Sequence, residues 1–210
     1  MTKDTIRQFT IIIATFITIV VNLFSSFITG KSVAAISDKF PVPVTPAGWA
    51  FSVWGIIYTG LIAYTIYQAL PAQRSNPRLR RIGYWYLLGC VANIAWLFLW
   101  VNEQITLSLV AMVVLLLSLI ILYLRADMNR TNIDRAERWC VNIPFGIYMG
   151  WITVATIVNV TVVLFNLGWN GLGISPETWT ALLLVVGTVI ALCVGITRVD
   201  IAYTATVVWA

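Results

Sequence analysis

The sequence predicts an all-α, polytopic membrane helix bundle. Of its 210 residues, 60% are hydrophobic and only 10% are charged, whereas a soluble domain carries about 25% charged residues. Apolar runs of about 20 residues, long enough to cross the ~30 Å hydrocarbon layer of a membrane, recur along almost the whole chain. No stretch is left for a separate soluble domain.

Proline, glycine and charged residues divide the apolar sequence into six expected spans and part of a seventh. The first run is longer than the apolar region of a signal peptide and no small-x-small cleavage site follows it, so we expect a helix. The second begins just after Pro46, whose missing N–H costs little at a helix start. The six spans are expected at residues 6–28, 49–70, 84–101, 104–125, 139–165 and 179–197.

The fifth and seventh segments contain less regular features. Pro144 removes one backbone hydrogen bond from the fifth span and predicts a kink. The seventh segment runs from Val199 to Ala210, which gives a helix of about 18 Å, too short to span. It is therefore either the start of a longer span or a half-helix. Asp200 is expected to form an interfacial ion pair with Arg198. Six glycines are expected to mark close contacts between helices: Gly55, Gly60, Gly83, Gly89, Gly146 and Gly150.

Basic residues are distributed unequally between the two sides of the expected membrane. All 13 Lys and Arg residues except Lys31 and Lys39 fall on one side. By the positive-inside rule this side and the N-terminus are cytoplasmic, and the Pro-rich loop 29–48 lies on the far side. Membrane topology therefore explains the net charge of +5 more simply than a nucleic-acid partner does.

The residue types argue against metal or catalytic chemistry. The chain has no histidine, the commonest metal ligand and general base. Cys90, Cys140 and Cys193 lack C-x-x-C spacing, and acidic residues occur only in loops and at helix ends. We therefore expect no enzyme activity, no metal and no obligatory cofactor.

Aromatic and amide side chains are expected to share one depth under the Pro-rich loop. At 1.5 Å per residue, these groups lie roughly 8 to 14 Å from the non-cytoplasmic helix ends, with Trp151 near the membrane centre. Residues three or four apart share a helix face, so three faces can be assigned. They are Trp54 with Tyr58, Asn93 with Trp96 and Trp100, and Tyr148 with Trp151, Ala155 and Asn159.

Three asparagines are expected to face the bundle interior, because an amide facing lipid would be unsatisfied. Taken singly, Asn22, Asn93 and Asn159 are most simply explained by hydrogen bonds between helices. Because they lie at the depth of several large flat rings, a ligand pocket is the better interpretation of the set.

Three motifs in these spans resemble the tryptophan-rich sensory proteins, the TspO/MBR family, which are relatives of the mitochondrial translocator protein (peripheral benzodiazepine receptor). W-A-F-S-V-W-G-I-I-Y at 49–58 is similar to the family's W-V-F-x-P-V-W-x-x-x-Y, although it is one residue shorter between the tryptophans and lacks the internal proline. N-I-A-W at 93–96 is similar to N-x-A-W. P-F-G-I-Y-M-G-W-I-T-V-A-T-I-V-N at 144–159 is similar to P-Y-x-x-W-x-x-x-A-x-x-x-N, with Phe145 in place of tyrosine.

The resemblance covers residues 6–165 and implies a five-helix bundle, often dimeric, with a pocket on the loop side. We expect a domain of residues 1–165 and, packed on it, additional C-terminal helices at 166–210 that the five-helix family does not have. The resemblance implies binding of porphyrins and haem precursors and, in animal members, of sterols, and we expect a bacterial plasma membrane for this chain. The pocket residues implied by the resemblance are Trp49, Trp54, Tyr58, Asn93, Trp96, Trp151, Ala155 and Asn159, and Tyr148 joins them because it shares a helix face with Trp151.

We therefore expect a non-enzymatic sensor or carrier of an amphiphilic planar ligand, a porphyrin or another tetrapyrrole, with a lipid or sterol-like molecule as an alternative ligand. Lys31 or Lys39 could pair with propionates, although both are more simply surface charges. The expected partners are membrane lipid, the hydrophobic small molecule and a second copy of the chain. Two other functions stay open: a structural or regulatory subunit of a larger membrane complex, and a small-molecule transporter.

Overall fold

The computed structural model describes residues 2–130 and 133–210, and these residues form helices and turns without strands. The elements in chain order are α1 (Lys3–Thr29), α2 (Val33–Ser37), a 3₁₀ turn (Gly48–Ser52), α3 (Val53–Ala69), a 3₁₀ turn (Pro71–Gln73), α4 (Pro77–Val101), α5 (Ile105–Arg125), α6 (Arg135–Glu137), a π turn (Arg138–Asn142), α7 (Ile143–Asn166), a 3₁₀ turn (Gly171–Gly173), α8 (Pro176–Arg198) and α9 (Ile201–Trp209).

Six helical stretches are long and apolar enough to cross a membrane, which confirms the six expected spans. They are Lys3–Thr29, Gly48–Ala69, Pro77–Val101, Ile105–Arg125, Arg135–Asn166 and Pro176–Arg198. The third and fifth begin earlier than hydrophobicity indicates, because side-chain caps set their starts. Asn76 accepts a hydrogen bond from the Arg78 N–H, and Asp134 accepts one from the Glu137 N–H.

Five of the spans form a closed ring. Going around it, α1 contacts α4, α4 contacts α5, α5 contacts α7, α7 contacts α3, and α3 returns to α1. We call the two ends of this ring the loop end, with residues 30–52, 102–104 and 167–175, and the arginine end, with residues 70–76, 126–130 and 133–134. The core lies inside the ring and is largely apolar and aromatic.

At the arginine end, Arg78 joins three segments. Its guanidinium donates to the Glu137 carboxylate at 2.6 Å, to the Asn142 side chain at 2.6 Å and to the Ala126 carbonyl at 2.6 Å. The Arg78 side chain is only 11% exposed. A buried guanidinium is tolerated here because its donors are bonded. One of the arginines counted for topology therefore also fixes the start of α4 against the α5–α7 connection.

The C-terminal helices pack outside the ring. The sixth span, α8, contacts α9 and, to a smaller extent, α7, and Ala191 is its one buried residue. In contrast, α9 lies along α7 and buries Tyr203 and Thr206. The seventh segment forms α9, a helix of 9 residues.

Glycines on α7 allow the backbone of α9 to pack closely against α7. A Cβ atom on Gly150 would lie 2.8 Å from the Tyr203 carbonyl oxygen, and one on Gly146 would lie 2.9 Å from an Asp200 oxygen. Gly60 approaches Pro144 in the same way, where α3 meets α7. The expectation of a close helix contact is wrong for Gly55, where an added Cβ atom would meet no other atom within 4 Å.

Asp200 does not form the expected ion pair with Arg198. Its carboxylate is buried, accepts a hydrogen bond from the Tyr123 hydroxyl at 2.6 Å and caps α9 by accepting one from the Tyr203 N–H at 3.0 Å. The Arg198 guanidinium lies instead over the Tyr123 ring, 5.8 Å from its centre. The turn at Val199, which has φ 52°, directs Asp200 inward and Arg198 away from it.

Pro144 lies just after a π turn in the fifth span. The turn Arg138–Asn142 precedes α7, and Pro144 is in the first turn of α7. Proline lacks an N–H and cannot complete an i to i−4 bond, and a wider π turn is one way for a helix to absorb that loss. The π turn therefore lies directly before Pro144, and the kink stays a prediction.

Candidate ligand-binding site

A lid of residues 31–46 covers the loop end of the ring. The Trp100 indole N–H donates to the Val33 carbonyl at 3.1 Å, and the Phe40 ring packs on Trp100 at 6.2 Å. Lys31 and Lys39 both bind the Glu103 carboxylate, at 3.1 and 2.6 Å. The first part of the lid is the short helix α2, which Ser32 caps, and the prolines follow in its second part. Two ion pairs and one indole therefore hold the lid on the α4–α5 connection.

Beneath the lid, four aromatic rings form one continuous stack across α3 and α4. Tyr58 stacks on Trp54 at 5.5 Å, Trp54 on Trp96 at 6.4 Å, and Trp96 on Trp100 at 6.0 Å, with interplanar angles of 23 to 27°. The shared faces predicted from three- and four-residue spacing are therefore confirmed for these two helices. Trp151 meets Trp54 edge-on at 6.3 Å, so α7 closes the side of the stack.

A small cavity of about 30 Å³ lies between the lid and this stack. Its volume holds one or two water molecules, whereas drug-sized ligands occupy roughly 300 to 1,000 Å³. The lining residues are Val33, Ser37, Pro46, Phe51, Trp54, Trp96, Trp100, Trp151, Ala155, Val158 and Asn159. Any ligand larger than a few atoms must therefore separate the rings or lift the lid.

Three buried polar atoms in this layer have no hydrogen-bond partner among the described residues: Asn93 Nδ2, Trp96 Nε1 and Asn159 Oδ1. The other ends of the two amides are bonded. Asn93 Oδ1 accepts from Asn22 at 2.8 Å, and Asn159 Nδ2 donates to Ser108 Oγ at 3.3 Å. An unpaired buried polar group costs about 1 to 3 kcal/mol. Trp96 and Asn159 line the cavity, so one donor and one acceptor are free to bind polar atoms of a guest, and Asn93 Nδ2 lies beside the stack.

The expected pocket residues fall into three groups in the structure. Trp54, Trp96, Trp151, Ala155 and Asn159 line the cavity. Tyr58, Tyr148 and Asn93 lie around the stack without lining the cavity, with the Tyr148 ring 6.0 Å from Trp54.

Trp49 lies apart from the other expected pocket residues. Its side chain is 63% exposed, and its ring meets Trp209 edge-on at 4.9 Å outside the cavity. It therefore belongs to the contact between the turn Gly48–Ser52 and α9.

Sequence reasoning missed part of the lining. Phe51 packs edge-on against Trp151 at 5.5 Å, and Val33, Ser37 and Pro46 come from the lid. Phe51 precedes Trp54 by three residues, so the helical spacing that paired Trp54 with Tyr58 would have found it if extended backward. The lid residues carry no comparable signal.

Among residues 2–130 and 133–210, the structure shows no cluster of three or more His, Cys, Asp or Glu side chains that could hold a metal ion. The polar groups around the cavity are amides, an indole and hydroxyls, which donate or accept hydrogen bonds but are poor acids, bases and nucleophiles at neutral pH. What the arrangement can do chemically is bind and orient.

A family model described as "TSPO-like protein" matches residues 8–210. A search of curated proteins gave no match, and a search of solved structures gave none. Because the match continues through α8 and α9, the expectation that the family resemblance stops at residue 165 is wrong: the two C-terminal helices lie within the family pattern. With its six membrane spans, the chain belongs to the TSPO-like protein family.

Proposed function

We propose that this protein binds an amphiphilic ligand with a flat apolar body, a porphyrin or another tetrapyrrole, in the aromatic layer under the lid. The family is one of generally non-enzymatic membrane proteins and suggests binding or transport. The observation that carries the proposal is the set of unpartnered buried atoms, Asn93 Nδ2, Trp96 Nε1 and Asn159 Oδ1, beside a continuous stack of rings.

A ligand with a flat ring can enter this aromatic layer with the smallest loss of stacking energy. Stacked rings interact by about 0.5 to 1.5 kcal/mol beyond their burial. A planar guest that slides between Trp54 and Trp96, now 6.4 Å apart, replaces one stacking contact with two. A branched or globular guest would lose that contact without restoring it.

The lid supplies the ionic part of the proposed site. Tetrapyrroles carry propionate groups, and Lys31 and Lys39 are the two basic residues of the lid. Both now bind Glu103, so a ligand carboxylate would compete with Glu103 for the same ammonium groups. Ligand binding and lid position are therefore coupled in this proposal.

The proposal assigns ligand binding to a domain of residues 1–165, which contributes all the lining residues of the cavity. Residues 166–210 pack on the outside of this domain. The protein would then sense or carry its ligand, and no obligatory cofactor is required for either role.

Titration with protoporphyrin IX tests the proposal. The purified chain in nanodiscs is expected to shift the porphyrin absorbance in a saturable manner. Trp54→Phe and Trp151→Phe should each weaken binding by roughly threefold to tenfold, because each loses ring area in the layer. Trp169→Phe is the matched control, since Trp169 packs on Trp179 away from the cavity. Absence of saturable binding, or equal effects in all three variants, would sink the idea.

A subunit role in a larger complex is the second candidate, and one observation favours it. The α8 helix buries only Ala191 and, apart from the half-buried Ile190 and Val194, leaves most of its apolar side chains exposed to lipid or to a partner. The mass of the detergent-solubilised particle separates the outcomes: one copy, two copies, or this chain with a different protein.

A further inference from the structure

The end of α9 contacts the turn that leads into the cavity wall. The Trp209 indole N–H donates to the Ala50 carbonyl at 3.1 Å, and the Trp209 ring meets Trp49 edge-on at 4.9 Å. The hydrogen bond joins residues 159 positions apart in the sequence. Since Ala50 is buried, this contact reaches past the surface of the turn.

The contacted turn, Gly48–Ser52, is a short 3₁₀ element of the cavity wall. A 3₁₀ turn has poorer hydrogen-bond geometry than an α-helix, and no side chain caps this one. It carries Phe51, which packs on Trp151, and it continues directly into Trp54. The Ala50 carbonyl already accepts from the Val53 N–H, so the Trp209 bond uses its second lone pair. A shift of the turn would therefore move two rings of the cavity.

The other end of α9 is fixed to the ring of helices. Asp200 binds the Tyr123 hydroxyl on α5, and the Tyr203 hydroxyl donates to Thr153 on α7 at 3.1 Å. Gly146 and Gly150 let the backbones of α7 and α9 approach closely. These three contacts fix the beginning and middle of α9. Because Trp209 is the last residue of the same helix, its position is fixed as well.

We propose that α9 is a brace that positions the turn Gly48–Ser52, with Trp209 as the positioning residue for Phe51 and Trp54. The brace requires no ligand, whereas its effect on ligand affinity rests on the proposed function. The C-terminal helices thereby influence a cavity that none of their residues lines.

Amide hydrogen exchange of the full-length protein without ligand tests the brace. Trp209→Phe keeps a ring against Trp49 but removes the indole N–H. We expect the Ala50 and Val53 amides to exchange about twofold to tenfold faster, the range that corresponds to one lost hydrogen bond. Exchange in α4 and α5 should not change. Trp169→Phe, another interfacial tryptophan, should leave the turn unchanged. Unaltered exchange at Ala50 and Val53 in Trp209→Phe would overturn the brace.

A second variant acts at the opposite end of α9. Tyr123→Phe removes the hydroxyl that binds Asp200, and Tyr84→Phe is its control because Tyr84 is 76% exposed. The brace predicts faster exchange at the turn in Tyr123→Phe, and exchange that stays at the level of the Tyr84→Phe control contradicts it.

Protoporphyrin titration of the same variants separates the two proposals. If the unsubstituted protein does not bind the porphyrin, the proposed function fails while the exchange result still decides the brace. If it binds and Trp209→Phe weakens binding by at least twofold, the brace acts on the site. If it binds and Trp209→Phe has no effect on affinity or exchange, the brace is wrong and the proposed function stands.

Discussion

At the scale of single residues, helix contacts in this protein depend on where side chains are absent. Gly150 and Gly146 allow α9 to pack closely on α7, and Gly60 allows Pro144 to pack closely on α3. Within a membrane there is little hydrophobic drive between helices, so close backbone approach and van der Waals contact provide the attraction. A methyl group at such a position must push a neighbour away, whereas a glycine in open space only lowers helix propensity.

Gly150→Ala is therefore expected to destabilise the protein by about 1 to 3 kcal/mol, because its Cβ would lie 2.8 Å from the Tyr203 carbonyl oxygen. Gly55→Ala is the matched control within a span and should be neutral or stabilising by up to about 1 kcal/mol. Thermal unfolding in detergent measures both. Equal melting temperatures for the two variants would show that the packing of α9 on α7 does not depend on a glycine at position 150.

Sequence patterns predicted correctly which side chains share a helix face, because the spacing along one helix decides where each side chain points. The stacked pairs Trp54–Tyr58 and Trp96–Trp100 followed from residues four apart on one helix. Partners on distant helices could not be derived in this way. Asn22 with Asn93, and Asn159 with Ser108, join residues more than fifty positions apart, and the order of the helices around the ring decides such pairs.

At the scale of elements, the lid is the part of the site with the weakest attachment. Lys31 and Lys39 hold it through a single carboxylate, Glu103, which is 40% exposed. Exposed ion pairs are weak and screened by salt. The hydrogen bonds from Lys39 and Lys31 hold the pKa of the Glu103 carboxyl below its usual value of 4.5. Because this pKa is lowered in the folded protein, the ion pairs are complete above pH 4.5 and are lost as the pH falls through the lower value.

Glu103→Gln should loosen the lid at neutral pH. Trypsin is expected to cleave after Lys31 and Lys39 about twofold to fivefold faster in this variant, the range expected for exposed ion pairs. Glu177→Gln removes a carboxylate at the same end that forms no ion pair within the described ranges and should not change the rate. In the unsubstituted protein, amide exchange of Val33–Ser37, corrected for intrinsic pH dependence, should rise below pH 4.5. Equal cleavage rates in Glu103→Gln and Glu177→Gln would contradict the role of the Glu103 ion pairs in holding the lid.

The lid also shows what an element-level prediction can miss. Three prolines indicated extended backbone in residues 39–48, and they carry no signal for α2, which forms just before them. Ser32 accepts from the Ala35 N–H and nucleates this short helix. Apolar run length located the spans but placed four starts three or more residues too late, because side-chain caps begin the first, third, fifth and sixth spans before their apolar residues.

At the scale of the whole molecule, the closed ring separates a basic end from a lid end. Arg74, Arg78 and Arg130 lie at or beside the arginine end, whereas Lys31 and Lys39 lie in the lid. The number of spans and their family were predictable from the sequence, since both are properties of long apolar runs and local motifs. The path of α9 was not, because 12 residues could have continued outward or returned along α7.

The charge distribution predicts that the arginine end is cytoplasmic. In a parent protein with Cys90, Cys140 and Cys193 replaced, Asn102→Cys should react with a membrane-impermeant maleimide on intact cells. Ser75→Cys should react only after permeabilisation. Both positions are exposed, and the cysteine-free parent corrects for background. The reverse labelling pattern would place the lid in the cytoplasm.

The hydrogen bond from Trp209 to Ala50 has a consequence for biosynthesis. Its partners are 159 residues apart, and a ribosome adds about 5 to 20 residues per second. The turn before the second span thus waits roughly 8 to 30 seconds for its indole partner. During that interval the inserted spans can assemble, but the cavity wall lacks its outer contact, so nascent chains would differ from finished ones in how readily the aromatic layer opens.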